Sequence, residues 1–435
     1  MKVDGSTALP IEHAGDVSFS KSTEWVSFSS DIPNEKEEKR YKVLDLFSGC
    51  GGLSKGFELA GFDILAANEF WKPAQDTYKK NHPKTKFFPG DITKSNTKKA
   101  IFEFFKKNEC DVIIGGPPCQ AYSTAGLRNP DDPRGKLFKD YFEIVNNLKP
   151  NIFVMENVKG ILTMQHDRED LTVKEKKELE QLKNLEKEKS ELILLRKQSK
   201  NNSEMFKFDD EKEKRIKEIN FMLEKNSNTI SRLREPVINM IHKKFREIGY
   251  KVNYKLLNAA NYGVPQKRER VIFIGTRLNT EIKNPEKTHN EKPHVLLNGR
   301  KLLPWVTVKE AIDDLKNKNQ NIKLSHLITA HNKDFVEKIK NTSLGKGVFG
   351  GYSDAFFRNP PNEPARTVKE NHGGVLVHYE KNRVMTPREL ARLQSFPDSF
   401  VFEGTKSNIL KQIGNAVPPK LGKAIGLAVK DMLKK

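Results

Sequence analysis

Cysteine is scarce in this chain of 435 residues: only Cys50, Cys110 and Cys119 occur. They form no CxxC pair, and no His/Cys set has zinc-ligand spacing, so neither a disulfide framework nor a bound metal is expected. The ten histidines are scattered; His289 with His294, and His326 with His331, lack accompanying ligands and read as solvated or hydrogen-bonded side chains. Long apolar runs are missing as well. Nothing approaches the roughly 18 uninterrupted apolar residues of a membrane span, and Met1 to Pro10 has no apolar signal-peptide core, which points to a cytoplasmic protein with no membrane partner. Acid is short relative to base, with 57 Asp and Glu against 77 Lys and Arg and a net charge of +20. Such an excess suits a polyanionic partner but does not identify one.

The excess is unevenly placed. Between Thr163 and Glu235 there are 18 basic and 17 acidic residues, whereas Thr276 to Arg366 holds 16 against 10. Residues 1–39 are polar, serine-rich and without periodicity, and read as a poorly ordered extension. From Tyr41 onward, short apolar runs (Val43 to Phe47, Asp63 to Ala67, Val112 to Ile114, Ile152 to Met155, Val271 to Ile274) alternate with helical stretches. That pattern predicts an α/β fold with a parallel sheet covered on both faces, over 40–275. An insertion at about 163–235 interrupts it. There Ile216, Ile219, Leu223, Ile230 and Leu233 fall at a and d spacing, and Leu182, Leu185 and Leu192 form a looser stripe, predicting a solvated, coiled-coil-like helical hairpin. An irregular second lobe is expected over 276–386, and helical periodicity returns over 387–435.

Several chemically suggestive groups fall where the predicted strands end. Asp45-Leu-Phe-Ser-Gly-Cys-Gly-Gly52 places Phe47, Gly49 and Gly51 at a strand-to-helix turn, where glycine lets a ligand approach the backbone. Glu69 ends the second strand, at a distance suited to a carboxylate on ribose hydroxyls, and Asp91 follows the next strand-like stretch. The fourth strand runs into Gly115-Gly-Pro-Pro-Cys-Gln120, which puts the Cys119 thiol at the carboxyl edge of the sheet. Glu156 follows the fifth strand in the same way. In Gln266-Lys-Arg-Glu-Arg270, alternation points Arg268 and Arg270 to one side.

Taken in order, these motifs, with Glu156-Asn-Val158, Arg388-Glu-Leu-Ala-Arg-Leu-Gln394 and Gly414-Asn-Ala-Val-Pro-Pro419, resemble the DNA cytosine-C5 methyltransferase family, of the bacterial restriction-modification type, over most of Lys42 to Lys435. The resemblance implies a Rossmann-like S-adenosylmethionine-dependent lobe, a smaller target-recognition lobe and double-stranded DNA as substrate, with the target cytosine flipped out of the helix. It implies Cys119 as the nucleophile on cytosine C6, Glu156 at N3 and the amino group, Arg270 at O2, and Arg268 organising the site. It assigns Asp45, Phe47, Gly49, Gly51, Glu69, Phe70, Asp91, Ile92, Pro118, Asn415 and Val417 to the cofactor, with Phe70 stacking on adenine and Asn415 and Val417 returning from the far end of the chain. Gln120, Ser123, Gln266 and Thr367 are expected at the DNA, with Gln120 to about Phe138 matching a loop that closes after flipping. Arg388 and Glu389 are expected to be structural. A monomer is expected, with a cognate restriction endonuclease as a partner acting on the same site without a stable complex. A tRNA-modifying branch of the family and an inactive DNA-binding regulator are the competing readings.

Overall fold

The computed structural model describes residues 39–118, 137–168, 170–201, 209–349, 356–370 and 376–434. The chain begins with strand β1 (Lys42–Leu46), helix α1 (Gly52–Leu59), β2 (Asp63–Glu69), α2 (Lys72–Asn81), β3 (Lys86–Pro89), α3 (Ser95–Phe105), β4 (Val112–Gly115), α4 (Leu137–Leu148) and β5 (Ile152–Val158). A short pair, β6 (Gln165–Asp167) and β7 (Arg234–Pro236), brackets α5 (Val173–Asn201), α6 (Asp210–Lys225) and α7 (Ser227–Leu233). Then come α8 (Val237–Glu247), β8 (Lys251–Asn258) and β9 (Glu269–Thr276). The main sheet has the order β3-β2-β1-β4-β5-β9-β8.

Alternation along the strands explains why helices cover both faces. Leu44, Leu46, Ile113, Phe153, Met155 and Phe273 enter one core. Their chain neighbours Val43, Val112, Ile114, Ile152, Val154, Ile272 and Ile274 enter the other. A strand whose odd and even residues are both apolar must be buried on both sides. The Rossmann-like arrangement is thus present, with one correction: β9 runs antiparallel to β5, and β8 antiparallel to β9. The β8–β9 connection stays at a single edge of the sheet, and a strand pair joined that way must be antiparallel.

The insertion is a helical hairpin. Leu171, Leu179, Leu182 and Leu233 form a buried cluster with Leu223 and Ile230 against it, and Ile216 and Ile219 are also buried. Arg196 pairs with Glu213, Arg215 with Glu188, Arg232 with Glu175 and Glu178, and Arg234 with Asp167 and Glu186.

After β9 the chain forms β10 (His289–Asn290), β11 (His294–Val295), β12 (Lys301–Pro304), α9 (Val308–Ile312), α10 (Lys333–Lys340), β13 (Phe357–Arg358), β14 (Leu376–Val377), α11 (Pro387–Leu393), α12 (Lys406–Asn415) and α13 (Pro419–Leu433). Residues from α9 through α12 share a third core, which includes Val308, Phe357, Val368, Leu390, Phe396 and Ile413. Arg388 sits inside it, donating to the carbonyls of Leu324, Pro397 and Phe400, while Glu389 closes a capping box with Thr386 and pairs with Arg383. Helix α13 crosses back, packing on α1 where Gly56 and Gly422 meet so closely that a methyl group on Gly56 would overlap the Gly422 backbone.

Candidate active site

The carboxyl ends of β1, β2 and β3 lie side by side, and the order reverses between β1 and β4, which makes a crevice at that edge. The β1–α1 turn there is built from left-handed backbone: Phe47 at φ 57°, Gly49 at 54° and Gly51 at 95°. Gly51 has a second reason to be glycine, because a methyl group there would run into the buried His82 ring. Glu69 holds the turn from the neighbouring strand. One carboxylate oxygen accepts from Gly49 N–H at 2.9 Å and the other from Phe70 and Trp71 N–H at 2.9 and 2.8 Å. Burial raises the Glu69 carboxyl above its ordinary range, and these three amides oppose the shift.

Beneath the turn, Asp45 is fully buried. Ser54 Oγ donates to its carboxylate at 2.6 Å and lies 2.7 Å from the Tyr78 hydroxyl. Burial drives the Asp45 pKa up to about 7; the Ser54 bond opposes this and the nearby Glu69 charge adds to it. Two features were not singled out from the sequence. Ser48 Oγ is buried without a hydrogen-bond partner, and Asn68 Nδ2 bolts β2 to β3 through the carbonyls of Phe88 and Gly90. Phe70 is 70% exposed beside Glu69, an unusual cost for a phenyl ring. Asp91 is exposed at the end of β3, accepting from Thr93 N–H. Ile92, which follows Asp91, buries its side chain in the core under the sheet. An adenosyl ligand fits this edge: glycines where a Cβ would intrude, an orphaned hydroxyl, an open aromatic face, and carboxylates rather than lysines.

Farther along the same edge, β4 ends at Gly115 and continues through Gly116, Pro117 and Pro118. Cys119, Gln120 and Ser123 lie outside the described residues. What surrounds the approach to Cys119 is well defined. Asn157 Nδ2 donates to the Pro117 carbonyl at 3.1 Å, fixing the turn to β5. A side chain at Gly116 would press against Glu156 Oε2 at 3.0 Å. Glu156 in turn pairs with Arg270 across the β5–β9 ladder, Nε to Oε1 2.8 Å, with both side chains nearly buried. The carboxylate and guanidinium therefore meet beside the strand that leads to the thiol. Asn157 was visible in the sequence as part of Glu-Asn-Val, but nothing there said what it held.

One expectation changes, and another gains its geometry. Gln266 is 0% exposed: its amide nitrogen donates to the Leu393 carbonyl and Gln394 Oε1, and its oxygen accepts from Val368 N–H. Every polar atom of that side chain serves the interior, so it has nothing to offer DNA. Arg268 does face the Arg270 side, but at 1% exposure it donates to the carbonyls of Val368 at 2.8 Å and Gly414 at 2.9 Å. Burial first, then the Arg270 charge, pushes its pKa down, against the pull of Glu156. It is a brace between elements rather than a group touching the base. Thr367 remains partly exposed, its hydroxyl donating to the Lys267 carbonyl. Asn415, exposed at the end of α12, donates to Glu370, and the Val417 carbonyl packs against Gly52 in the β1–α1 turn. Among the described residues no group of three or more His, Cys, Asp or Glu side chains could hold a metal, and no helix is long and apolar enough to cross a membrane.

Comparison with known proteins agrees with this arrangement. The sequence model for C-5 cytosine-specific DNA methylases matches residues 41–187 and 211–431, and the stretch left between them falls inside the helical hairpin. The chain is 32% identical over 404 residues to the type II methyltransferase M1.HphI of Haemophilus parahaemolyticus, covering 89% of this chain and 86% of that protein. It is 33% identical over 407 residues to the type II methyltransferase M.NgoFVII of Neisseria gonorrhoeae, covering 90% and 87%. Among solved structures, a prophage-encoded E. coli protein provisionally described as a DNA modification methyltransferase superposes with a TM-score of 0.60 at 25% identity, over 91% of this chain and 100% of that one.

Proposed function

The chain belongs to the C-5 cytosine-specific DNA methylase family, and on that premise we propose how its residues divide the work of a site-specific DNA cytosine-C5 methyltransferase that draws its methyl group from S-adenosylmethionine. The observation that carries the assignment is the Glu156–Arg270 pair, set beside the Pro117-Pro118 turn at the edge of β4. A flipped cytosine entering there meets a carboxylate for N3 and the amino group and a guanidinium for O2. Cys119 follows the turn by one residue. Its thiolate adds to C6, and the electron pair pushed toward C5 takes up the methyl group. Loss of the C5 proton then lets the C6–S bond break and returns the thiolate. Glu156 supports protonation at N3 during attack, and Arg270 stabilises charge at O2.

S-adenosylmethionine, when bound, supplies an electrophilic methyl group. Around it, Phe47, Gly49 and Gly51 shape the turn, and Glu69 still has lone pairs for ribose hydroxyls. Phe70 offers its exposed face to adenine, and Asp91 accepts from the adenine amino group. Asp45, Ile92 and Pro118 back these positions, and Asn415 and Val417 close the site from the far end. Gln120, Ser123 and Thr367 are the DNA-facing residues in this reading. Residues 276–386 form the target-recognition lobe, 387–435 carry the last motifs, and 1–39 are an extension. The enzyme acts as a monomer in the cytoplasm, on chromosomal DNA. It protects sites that a cognate restriction endonuclease cuts without a stable complex forming.

The test uses duplex DNA of mixed sequence carrying 5-fluorocytosine, which blocks loss of the C5 substituent. With S-adenosylmethionine present, the protein should form an adduct that survives denaturation, and Cys119→Ala should abolish it. An adduct undiminished in Cys119→Ala would remove the nucleophile from this scheme.

A further inference from the structure

The groove between α8 and the outer strand β8 encloses about 470 Å³ and lies at the β8 edge of the sheet, away from the crevice between β1 and β4. Asn239, His242, Lys243 and Arg246 line it from α8, at spacings of three, one and three, which puts them on one face of the helix. Tyr254 faces them from β8, 39% exposed, its ring edge-on to His242 with centroids 5.7 Å apart. Val252 and Leu256, which share Tyr254's side of the strand, pack into the core. The hydroxyphenyl ring is left to form the groove wall.

The charge lining the groove is one-sided. Lys243 and Arg246 stand there against a single lining acid, Glu247. Lys243 and Arg246 are both exposed, and the acid whose charge reaches Lys243, Asp170, is already held by Arg168 at 2.7 Å. The adjacent hairpin is the contrast, since its arginines are paired one by one with carboxylates. The groove also reaches the catalytic edge. The Val237 amide at its head donates to the Met164 carbonyl, just past the turn that follows β5, and β8 ends with Asn258 opposite Glu269, next to Arg270. Nine residues of helical rise separate Val237 from Arg246, about 14 Å.

We propose that the α8–β8 groove is a second DNA contact, in which Lys243, Arg246, Asn239 and Tyr254 engage backbone phosphates of the duplex flanking the target site. Such groups position a duplex without reading its sequence. The Glu247 carboxylate, at the foot of the groove, repels phosphate and limits the contact to the upper part. The inference rests on duplex DNA being the substrate, and it adds an expectation that the catalytic cleft alone does not: affinity should depend on DNA beyond the site.

The test compares a duplex just long enough to fill the cleft with one extended by some 20 base pairs on either side, both containing a methylatable site. Lys243→Gln/Arg246→Gln should bind the long duplex on the order of tenfold more weakly, with a salt slope shallower by about 2, because each cation removed leaves one phosphate with its counterions. Binding and methylation of the short duplex should be unchanged, as should the thermal midpoint. Lys99→Gln/Lys107→Gln removes the same charge from the distant α3 region and should leave both duplexes bound as before. Equal weakening on both duplexes, equal weakening in the control variant, or undiminished binding of the long duplex would each overturn the proposal. Failure of the unaltered enzyme to methylate the short duplex would count against the catalytic reading instead.

Discussion

Asp45 is a carboxyl held in the interior by its bond from Ser54 and raised to about 7. An unfolded carboxyl titrates near 3.8, so between those values the folded chain holds a proton that the unfolded chain has released. Stability of the ligand-free protein therefore falls as pH rises from about 4 to about 7 and then levels off. Asp45→Asn keeps an acceptor for Ser54 and removes the charge, so it should flatten this part of the profile. It should also stabilise the protein at pH 8 by a few kcal/mol, since a tenfold change in proton affinity corresponds to about 1.4 kcal/mol. Thermal melts of both proteins from pH 5 to 8 check this; parallel profiles would show that Asp45 is not the group responsible. At the same scale, the sequence told which side of a strand Arg268 and Gln266 occupy but not how deep they lie. Alternation fixes direction, whereas depth depends on Val368, Leu393 and Gly414, which arrive from about 100 or more residues away. Glu156 and Arg270 were legible because the strand ends that carry them sit on one edge.

The elements follow the same division. β1, β4, β5 and β9 could be read from the sequence because both faces of each strand are apolar. β8 was not, because it is the outer strand and Lys251, Asn253 and Lys255 break its pattern, as they must to keep an open sheet edge from pairing with other chains. The hairpin was legible from its leucine and isoleucine spacing, although Asn226 divides its return into α6 and α7. Its root is the buried cluster of Leu171, Leu179, Leu182 and Leu233, and the outer part adds exposed ion pairs such as Arg196–Glu213 and Arg215–Glu188. Pairs of that kind are screened by solvent and contribute little to stability. Replacing residues 189–212 with a short glycine-rich turn should therefore leave methyl transfer within about twofold and move the melting midpoint by only a few degrees. A folded truncation that no longer methylates DNA would show that the outer hairpin takes part in the reaction.

On the scale of the whole molecule, the last part of the chain is tied back to the sheet by close contacts. The α1–α13 crossing at Gly56 and Gly422 is one. Arg268, whose fork reaches the backbone of both the Val368 segment and the Gly414 turn, is another. A lysine there can satisfy one carbonyl but not the planar two-point geometry, and an uncompensated buried polar group costs on the order of 1–3 kcal/mol. Arg270 makes the opposite kind of contact, local and aimed at Glu156. The two substitutions should therefore separate in their readouts. Arg268→Lys should lower the thermal midpoint and raise KM for DNA as the Val368 and Gly414 segments loosen against the sheet, with kcat at saturating DNA largely retained. Arg270→Lys should melt within a few degrees of the unaltered protein yet drop on the order of 100-fold in kcat, the scale for removing a donor aimed at developing charge. If Arg268→Lys instead lowered kcat with KM and melting unchanged, its guanidinium would have to act on the base itself, and the brace would not explain its burial.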